Sequence, residues 1–534
     1  MAPHHLATAA GLSILRRGGS AVDAAIATNA VLAVVAGSSC GIGGDAFWLI
    51  WDEAAGRQLA LNGSGRAPAA ADPDGLRRSG LRTLPFYGPL TITVPGAVRS
   101  WGDAHRRFGR LGRAEILGPA IELAGDGFPA WDGFIASVES AASGFAAAAD
   151  AGPGWASVYR PLGRPWRAGQ IVRLPALAAS LERLAEAGFD DFYEGRLAEQ
   201  QAAGLAAAGS SIDMDDLRAH QSTWVEPIST DYRGVRVTTH PPNSSGLVAL
   251  EILNILEQFE PPEADAFAGG QGADARWVHL GVEAAKLAMA DRDDHLTDPE
   301  FYPVPVQRLL DKARARELAA RIDPRRATPA AATRNPRGGG TIYLATVDAD
   351  GNAVSLIESN YAGFGSGVVD PLTGIGYQNR GSYFSLEPGH PNVLAPRKRT
   401  LHTLLPGMLF RAGRPWIVLG SMGGDAQPQI HAQVVSSLVD GGVDVATAVG
   451  QPRWFADPQT QFGPPDLVRL EPRFRPGTAE ALESMGHPVA PAGAFDSGLG
   501  HCHAIELVGG GPATADGSLA AATDPRSAGL PAVW

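Results

Sequence analysis

Cysteine is scarce: Cys40 and Cys502 are the only two in 534 residues. One disulfide is open to the chain, a disulfide-stapled scaffold is not, and no CxxC or Cys/His set has structural-zinc spacing. Lysine is scarcer than arginine, with Lys286, Lys312 and Lys398 the only three among 44 basic residues. Schiff-base chemistry therefore has three candidates. Basic charge is outweighed, 44 Lys and Arg against 56 Asp and Glu, for a net charge of −12. A duplex-binding protein needs a basic face, so nucleic acid is not an expected partner. No apolar run reaches the ~20 residues needed to span a bilayer, so no membrane is expected either. The most apolar stretch, Ala24–Gly37, follows Arg16 and Arg17 and imitates a signal peptide. It carries Thr28 and Asn29, and Gly18-Gly19-Ser20 separates it from the arginines, so it reads as a buried helix beginning near Ser20. A cytoplasmic protein is expected from the chain as written, a periplasmic one if the true start lies upstream.

Glycine and proline are plentiful, 66 and 41 residues, yet short of the ~25–30% that marks low-complexity disorder. Helical spacing of apolar residues runs through 8–17, 21–35, 114–124, 174–187, 193–208, 246–258, 273–290 and 306–322. Strand patterns fall at 46–51 and 57–61, and after the middle of the chain at 341–347, 352–357, 375–377, 404–410, 417–419 and 503–508, with helices near 430–440 and 477–485. The alternation predicts an α+β fold with sheets covered by helices. Between the two halves lies Ala327–Gly340, rich in Ala, Pro and Gly, which reads as an exposed linker.

The residues after that linker hold the most specific signal. Asp350-Gly351 is a strong hairpin turn. If these two form the loop, Ala349 pairs with Asn352, and Thr341 lies opposite Asn360 and beside Ser359; a bulge would shift this by one. A hydroxyl at the first residue of a strand would then face a second hydroxyl, straight after Gly338-Gly339-Gly340. A linker before an ordinary edge hairpin explains the same pattern. The chemical alternative is sharper. Cutting Gly340–Thr341 would free an α-amine on Thr341 with a pKa of about 7.7–8.0. That amine could serve as general base for the hydroxyl on the same residue. The cut could come from within, by attack of the Thr341 hydroxyl on the Gly340 carbonyl.

Gly420-Ser421-Met422-Gly423-Gly424 follows an apolar strand. Its glycines allow paired backbone N–H groups, as an oxyanion hole requires; a phosphate loop fits less well, lacking GxGxxG spacing and a Walker lysine, and a plain turn remains open. In His501-Cys502-His503 alternation along a strand would turn Cys502 away from the histidines, which argues against a metal site. Asp291-Arg292-Asp293-Asp294-His295 reads as helix-end charge with ion pairing. Asn243-Ser244-Ser245-Gly246 lacks the GxSxG elbow of a serine hydrolase.

Taken in order, a set of short motifs resembles the γ-glutamyltransferase family of N-terminal-nucleophile hydrolases. These are Gly18-Gly19-Ser20-Ala21-Val22-Asp23-Ala24-Ala25, Gly41-Ile42-Gly43-Gly44-Asp45, Val94-Pro95-Gly96-Ala97-Val98, Pro241-Pro242-Asn243-Ser244-Ser245-Gly246, Ala290-Asp291-Arg292-Asp293, Asp350-Gly351-Asn352-Ala353-Val354 and Asp524-Pro525-Arg526-Ser527. The resemblance spans nearly the whole chain. It implies a four-layer αββα sandwich, made as one proenzyme and cut into fragments 1–340 and 341–534. It implies Thr341 as nucleophile, Ser359 as the hydroxyl bonded to it, Gly423 and Gly424 as the oxyanion pair, and no metal or organic cofactor. It implies a small-molecule amide as substrate, the two fragments as each other's partners, and a dimer of heterodimers as a candidate assembly.

The chain departs from the family where a γ-glutamyl group would be held. Ser64 stands where an Arg is expected, with Arg66 two places out of register, and Tyr383 stands where an Asp would bind the ammonium. Tyr361 replaces an Asn, and His402-Thr403 replaces a Ser-Ser pair. Losing those charged partners weakens the case for glutathione. Ser359-Asn360-Tyr361 with Gln378-Asn379-Arg380-Gly381 looks more like the acylase and amidohydrolase branch, including cephalosporin-acylase-like proteins and oxamate amidohydrolase. Arg380, with Arg66 second, is the candidate anchor for a substrate carboxylate; His402 and Tyr361 are candidate pocket walls, and Asn360, Tyr383 and Thr403 are further candidates for substrate contact. An unprocessed, inactive binding homologue and a serine hydrolase using Ser244 or Ser421 are the rivals.

Overall fold

The structure is a computed structural model that describes residues 1–147, 154–329, 340–457 and 466–533. Most of the expected linker, residues 330–339, lies outside the described residues.

Two antiparallel sheets form the centre. The first has five strands in the order Thr223–Val225, Arg57–Gly63, Asp45–Asp52, Ala353–Tyr361, Gly340–Val347. The second has six, in the order Ser518–Thr523, His501–Val508, Arg414–Met422, Gly407–Arg411, Val235–Thr239, Ile228–Tyr232. The sheets meet face to face through Phe47, Leu49, Tyr343, Ala345 and Ile357 on one side and Leu404, Met408, Val418 and Ile505 on the other. Alternate residues of the same strands, such as Trp48, Ile50, Leu344 and Leu356, point outward into a core shared with Ala21–Val35 and its neighbouring helices. Leu409, Ile417, Leu419 and Cys502 do the same on the far side, against Gly246–Leu256, Ala275–His295 and Gln427–Val439. The result is the four-layer αββα sandwich.

The helix Ala21–Val35 is buried along its whole length and starts with a Ser20–Asp23 capping box. Cys40 and Cys502 are both free and buried. Cys502 faces the helices while His503 stacks at 6.4 Å on Tyr343 between the sheets, so the histidine–cysteine triplet is divided across the strand. No helix among the described residues is long and apolar enough to cross a membrane.

Several expected elements change. The 306–322 helix is interrupted into Val306–Leu309 and Lys312–Ala319, because Asp311 caps a new helix through Ala313 N. The 193–208 helix breaks at Gly195. Residues 375–377 form no strand, only isolated bridges Gly43↔Tyr377 and Val369↔Gly376. The hairpin register is one residue off the expected one: Val347 pairs with Ala353 and Ile342 with Glu358. The turn is longer than two residues because Asp348 N bonds Asn352 O, with Gly351 at a left-handed φ of 89°. A bulge between Gly340 and Ile342 then restores the expected frame at Gly340↔Tyr361.

Candidate active site

That bulge occurs at the open end of an edge strand, where the ladder no longer dictates where each side chain points. Thr341 and Ser359 end up in contact, both nearly fully buried. Thr341 Oγ1 donates to Ser359 Oγ at 3.1 Å, and Ser359 Oγ donates to the Gly340 carbonyl at 2.7 Å. Ser359 Oγ also accepts the Tyr361 N–H at 2.7 Å. One hydroxyl thus touches both the threonine oxygen and the carbonyl on the other side of the Gly340–Thr341 bond.

Tyr361 ends its strand with a positive φ of 71°, which carries the phenol out of the sheet. Its ring lies 4.6 Å from that of Tyr383, and the Arg380 guanidinium covers it at 4.5 Å. Arg380 and Tyr383 share the short 3₁₀ helix Arg380–Tyr383. Arg380 Nη1 donates to Thr403 Oγ1 at 3.1 Å, and Nη2 to Ser359 Oγ at 3.5 Å. Its Nε is buried without a partner, and no carboxylate among the described residues comes within ion-pair distance of it. Burial pushes the guanidinium pKa down, and the surrounding Tyr383, Tyr361, Asp45 and Asp425 only partly oppose that.

The Gly423-Gly424 turn joins this group through the next residue. Gly423 and Gly424 have φ of 149° and 55°, conformations in which successive N–H groups can converge on an anion. Asp425 accepts Tyr383 Oη at 2.8 Å on one oxygen and the Arg292 guanidinium on the other. Arg292 also holds Asp293 at 2.7 Å, and Arg314 holds Asp291. The acidic run at 291–295 is therefore ion-paired at a helix end, as its sequence indicates, but one of its pairs reaches the glycine turn. Burial works against the Arg292 charge, but Asp293 and Asp425 outweigh it and hold the guanidinium pKa above its ordinary value.

Asp45 lies opposite Ser359 in the sheet. One of its oxygens accepts Gly65 N at 3.0 Å and Gly96 N at 3.1 Å; the other contacts His402 Nε2 at 3.2 Å. Burial raises the Asp45 carboxyl to about 7 and holds His402 far below its usual value.

Gly340, Thr341, Ser359, Tyr361, Arg380, Tyr383 and Thr403 thus lie together in one group. Three expected pocket residues stand apart. Arg66 spends its charge on Asp298 at 3.2 Å and Glu300 at 2.8 Å. Asn360 is turned toward the glycine-rich loop, with Nδ2 on Gly37 O at 3.4 Å and Gly41 packed against its amide. His402 is fully buried behind Asp45, edge-on to Phe47. Sequence reasoning assigned no role to Asp45, Asp425 or the Arg292 contact. The position of Asp425 directly after two glycines, in a chain that lacks the expected acid at 383, was the available signal.

Elsewhere among the described residues, His279, Glu283 and His487 are the group of possible metal ligands that lies close together. Their atoms are already engaged. His279 Nε2 must donate to the Asp323 carbonyl at 2.9 Å, which leaves Nδ1 to accept from His487 Nε2 at 2.7 Å. The Glu283 carboxylate takes Lys286 at 2.8 Å and Thr328 N at 3.1 Å. This is a hydrogen-bonded knot tying Asp323 and Thr328 to His487.

A four-layer αββα sandwich with a threonine hydroxyl at the start of an edge strand defines the class of N-terminal-nucleophile hydrolases. Residues 7–534 match the gamma-glutamyltranspeptidase family. The chain is 39% identical over 530 residues to the glutathione hydrolase-like YwrD proenzyme of Bacillus subtilis, covering 99% of this chain and 97% of that one. It is 39% identical over 538 residues to the oxamate amidohydrolase proenzyme of Klebsiella pneumoniae, covering 100% and 97%. The solved cephalosporin acylase from Bacillus halodurans superposes with a TM-score of 0.90 at 39% identity, over 100% of this chain and 95% of that one. The chain belongs to the gamma-glutamyltranspeptidase family. It is an amidohydrolase or acyltransferase of the N-terminal-threonine type, and the relatives it matches are named proenzymes.

Proposed function

We propose that this chain cuts itself between Gly340 and Thr341 and then uses Thr341 to open amides whose acyl part carries a carboxylate. The observation that carries this reading is the Ser359 hydroxyl shared by Thr341 Oγ1 and the Gly340 carbonyl. In the precursor the Thr341 oxygen attacks the Gly340 carbonyl carbon. Ser359 donates to the oxygen that gains negative charge and accepts from the hydroxyl that loses its proton. The C–N bond breaks as the nitrogen is protonated, leaving an ester between Gly340 and the threonine oxygen. Water hydrolyses it to a Gly340 carboxylate and a free Thr341 amine. Fragments 1–340 and 341–534 result.

In the mature enzyme that amine, with a pKa of about 7.7–8.0 in the absence of perturbation, takes the Thr341 hydroxyl proton. The threonine oxygen attacks the substrate amide, the amine product leaves with the proton, and water or a second amine resolves the acyl-enzyme. The N–H groups of Gly423 and Gly424 serve the oxyanion. Arg380 holds the substrate carboxylate, which supplies the counter-charge that the guanidinium lacks. A γ-glutamyl group is disfavoured: Ser64 bonds Asn62 at 2.6 Å where an arginine would reach the substrate, and Tyr383 replaces the acid for an ammonium. Oxamate, the substrate in the name of the Klebsiella relative, and glutaryl amides are the first compounds to try. The mature unit is a heterodimer of the two fragments, with a dimer of such heterodimers as the assembly that light scattering would test.

Intact mass under denaturing conditions tests the nucleophile. Wild type should give two fragments, the smaller beginning at Thr341, and Thr341→Ala should remain one chain without amidase activity. A Thr341→Ala protein that is still cut there, or still active, overturns the assignment and favours Ser244 or Ser421.

A further inference from the structure

We infer that the distance from Arg380 to Thr341 acts as a ruler that selects amides of two- or three-carbon dicarboxylic acids; this rests on the nucleophile and anchor assigned above. The contacts Arg380–Ser359 and Ser359–Thr341, 3.5 and 3.1 Å, keep the guanidinium within about 6.6 Å of the threonine oxygen. A carboxylate bonded to that guanidinium takes up ~2.8 Å of the span. At most about 4 Å then remains between the acid oxygen and the threonine oxygen, the reach of a two- or three-carbon acyl group. Each further carbon inserts a bond of about 1.5 Å, so a five-carbon chain fits only by folding back or by pushing the arginine away.

The arginine has little room to move. It is 1% exposed, lies over Tyr361 and beside Tyr383 at 5.4 Å, and is held by Thr403 at Nη1. Gln378 accepts its backbone N–H. The same surroundings oppose an α-amino group on the acyl chain. The carboxylate at hand, Asp425, already binds Arg292 on one oxygen and Tyr383 on the other. An ammonium here would sit beside a guanidinium, and the carboxylate at hand is already paired with Arg292.

The test uses the processed wild-type enzyme with the monoamides of the two-, three-, four- and five-carbon diacids and γ-glutamyl amides, measuring kcat/KM by amine release. The two- and three-carbon compounds should be best, with at least a ~10-fold loss by five carbons. Each should exceed the amide of the uncharged acid of equal length by ~100-fold, a preference that Arg380→Gln should reduce to below ~10-fold. A binding readout needs no variant: oxalate or malonate should raise the melting temperature of the processed enzyme more than glutarate does. An optimum at five carbons or at γ-glutamyl, a preference that survives Arg380→Gln, or equal protection by all the diacids overturns the ruler. A processed enzyme that cleaves none of these half-amides overturns the carboxylate anchor, while its Thr341 terminus leaves the nucleophile standing. A protein that stays a single chain overturns both.

Discussion

Asp45 pairs across the sheet with Ser359, and its charge is set by burial. Its carboxyl is held up to about 7, against ~3.9 in an unfolded chain. Between those values the folded protein keeps a proton that the unfolded chain has lost. The stability contributed by this group is therefore complete at acid pH and is lost as the pH rises through about 7. Asp45→Asn keeps an acceptor for Gly65 and Gly96 and cannot titrate. The melting temperature of wild type should fall more steeply than that of Asp45→Asn between about pH 5 and 8. Glu358, raised by burial to about 8, adds a slope of the same sign in both proteins, so the variant flattens the curve only in part. Parallel curves would mean that Asp45 is already ionised at pH 5.

Among the elements, the hairpin before Ala353 shows what sequence can and cannot deliver. The Asp350-Gly351 turn and both strands are legible, because a left-handed glycine and alternating β-branched residues leave few other solutions. The register is not, because Asp348 spends its side chain on the turn: Oδ1 accepts Asp350 N at 3.1 Å and Asn352 N at 2.9 Å. Its other oxygen takes Ala21 N at 3.1 Å, at the start of a helix more than three hundred residues earlier. A contact between segments so distant in sequence leaves no local trace. The same holds for the site. Thr341, Ser359 and Arg380 are legible from local pattern and resemblance, whereas Arg66, Asn360 and His402 are drawn elsewhere by Asp298, the glycine loop and Asp45. Asp348→Ala should destabilise the protein by ~2 kcal/mol, since it strands a helix-start N–H and several turn donors together. A denaturation midpoint equal to wild type would assign those donors to solvent instead.

At the scale of the molecule, both sheets mix segments from either side of residue 340. Asp45–Trp51 is laddered to Ala353–Ser359, and Arg236–Thr239 to Gly407–Phe410. The Gly340–Val347 strand lies at a sheet edge, so a cut before Thr341 leaves the inner ladders intact. Scission is expected to leave one particle in native chromatography, and two species only in denaturant. It also changes what kind of process folding is. The precursor threads both sheets with one chain, so its refolding is first order and independent of concentration. Once cut and unfolded, two strangers must find each other before any shared ladder can form, and refolding becomes second order. Thr341→Ala should regain its structure at a rate indifferent to dilution, whereas the mature enzyme should recover more slowly with each dilution. Equal, dilution-independent recovery would mean that one fragment folds alone. For a two-fragment enzyme, slow unfolding is then the expected means of persistence, and working lifetime becomes a matter of rate rather than of equilibrium.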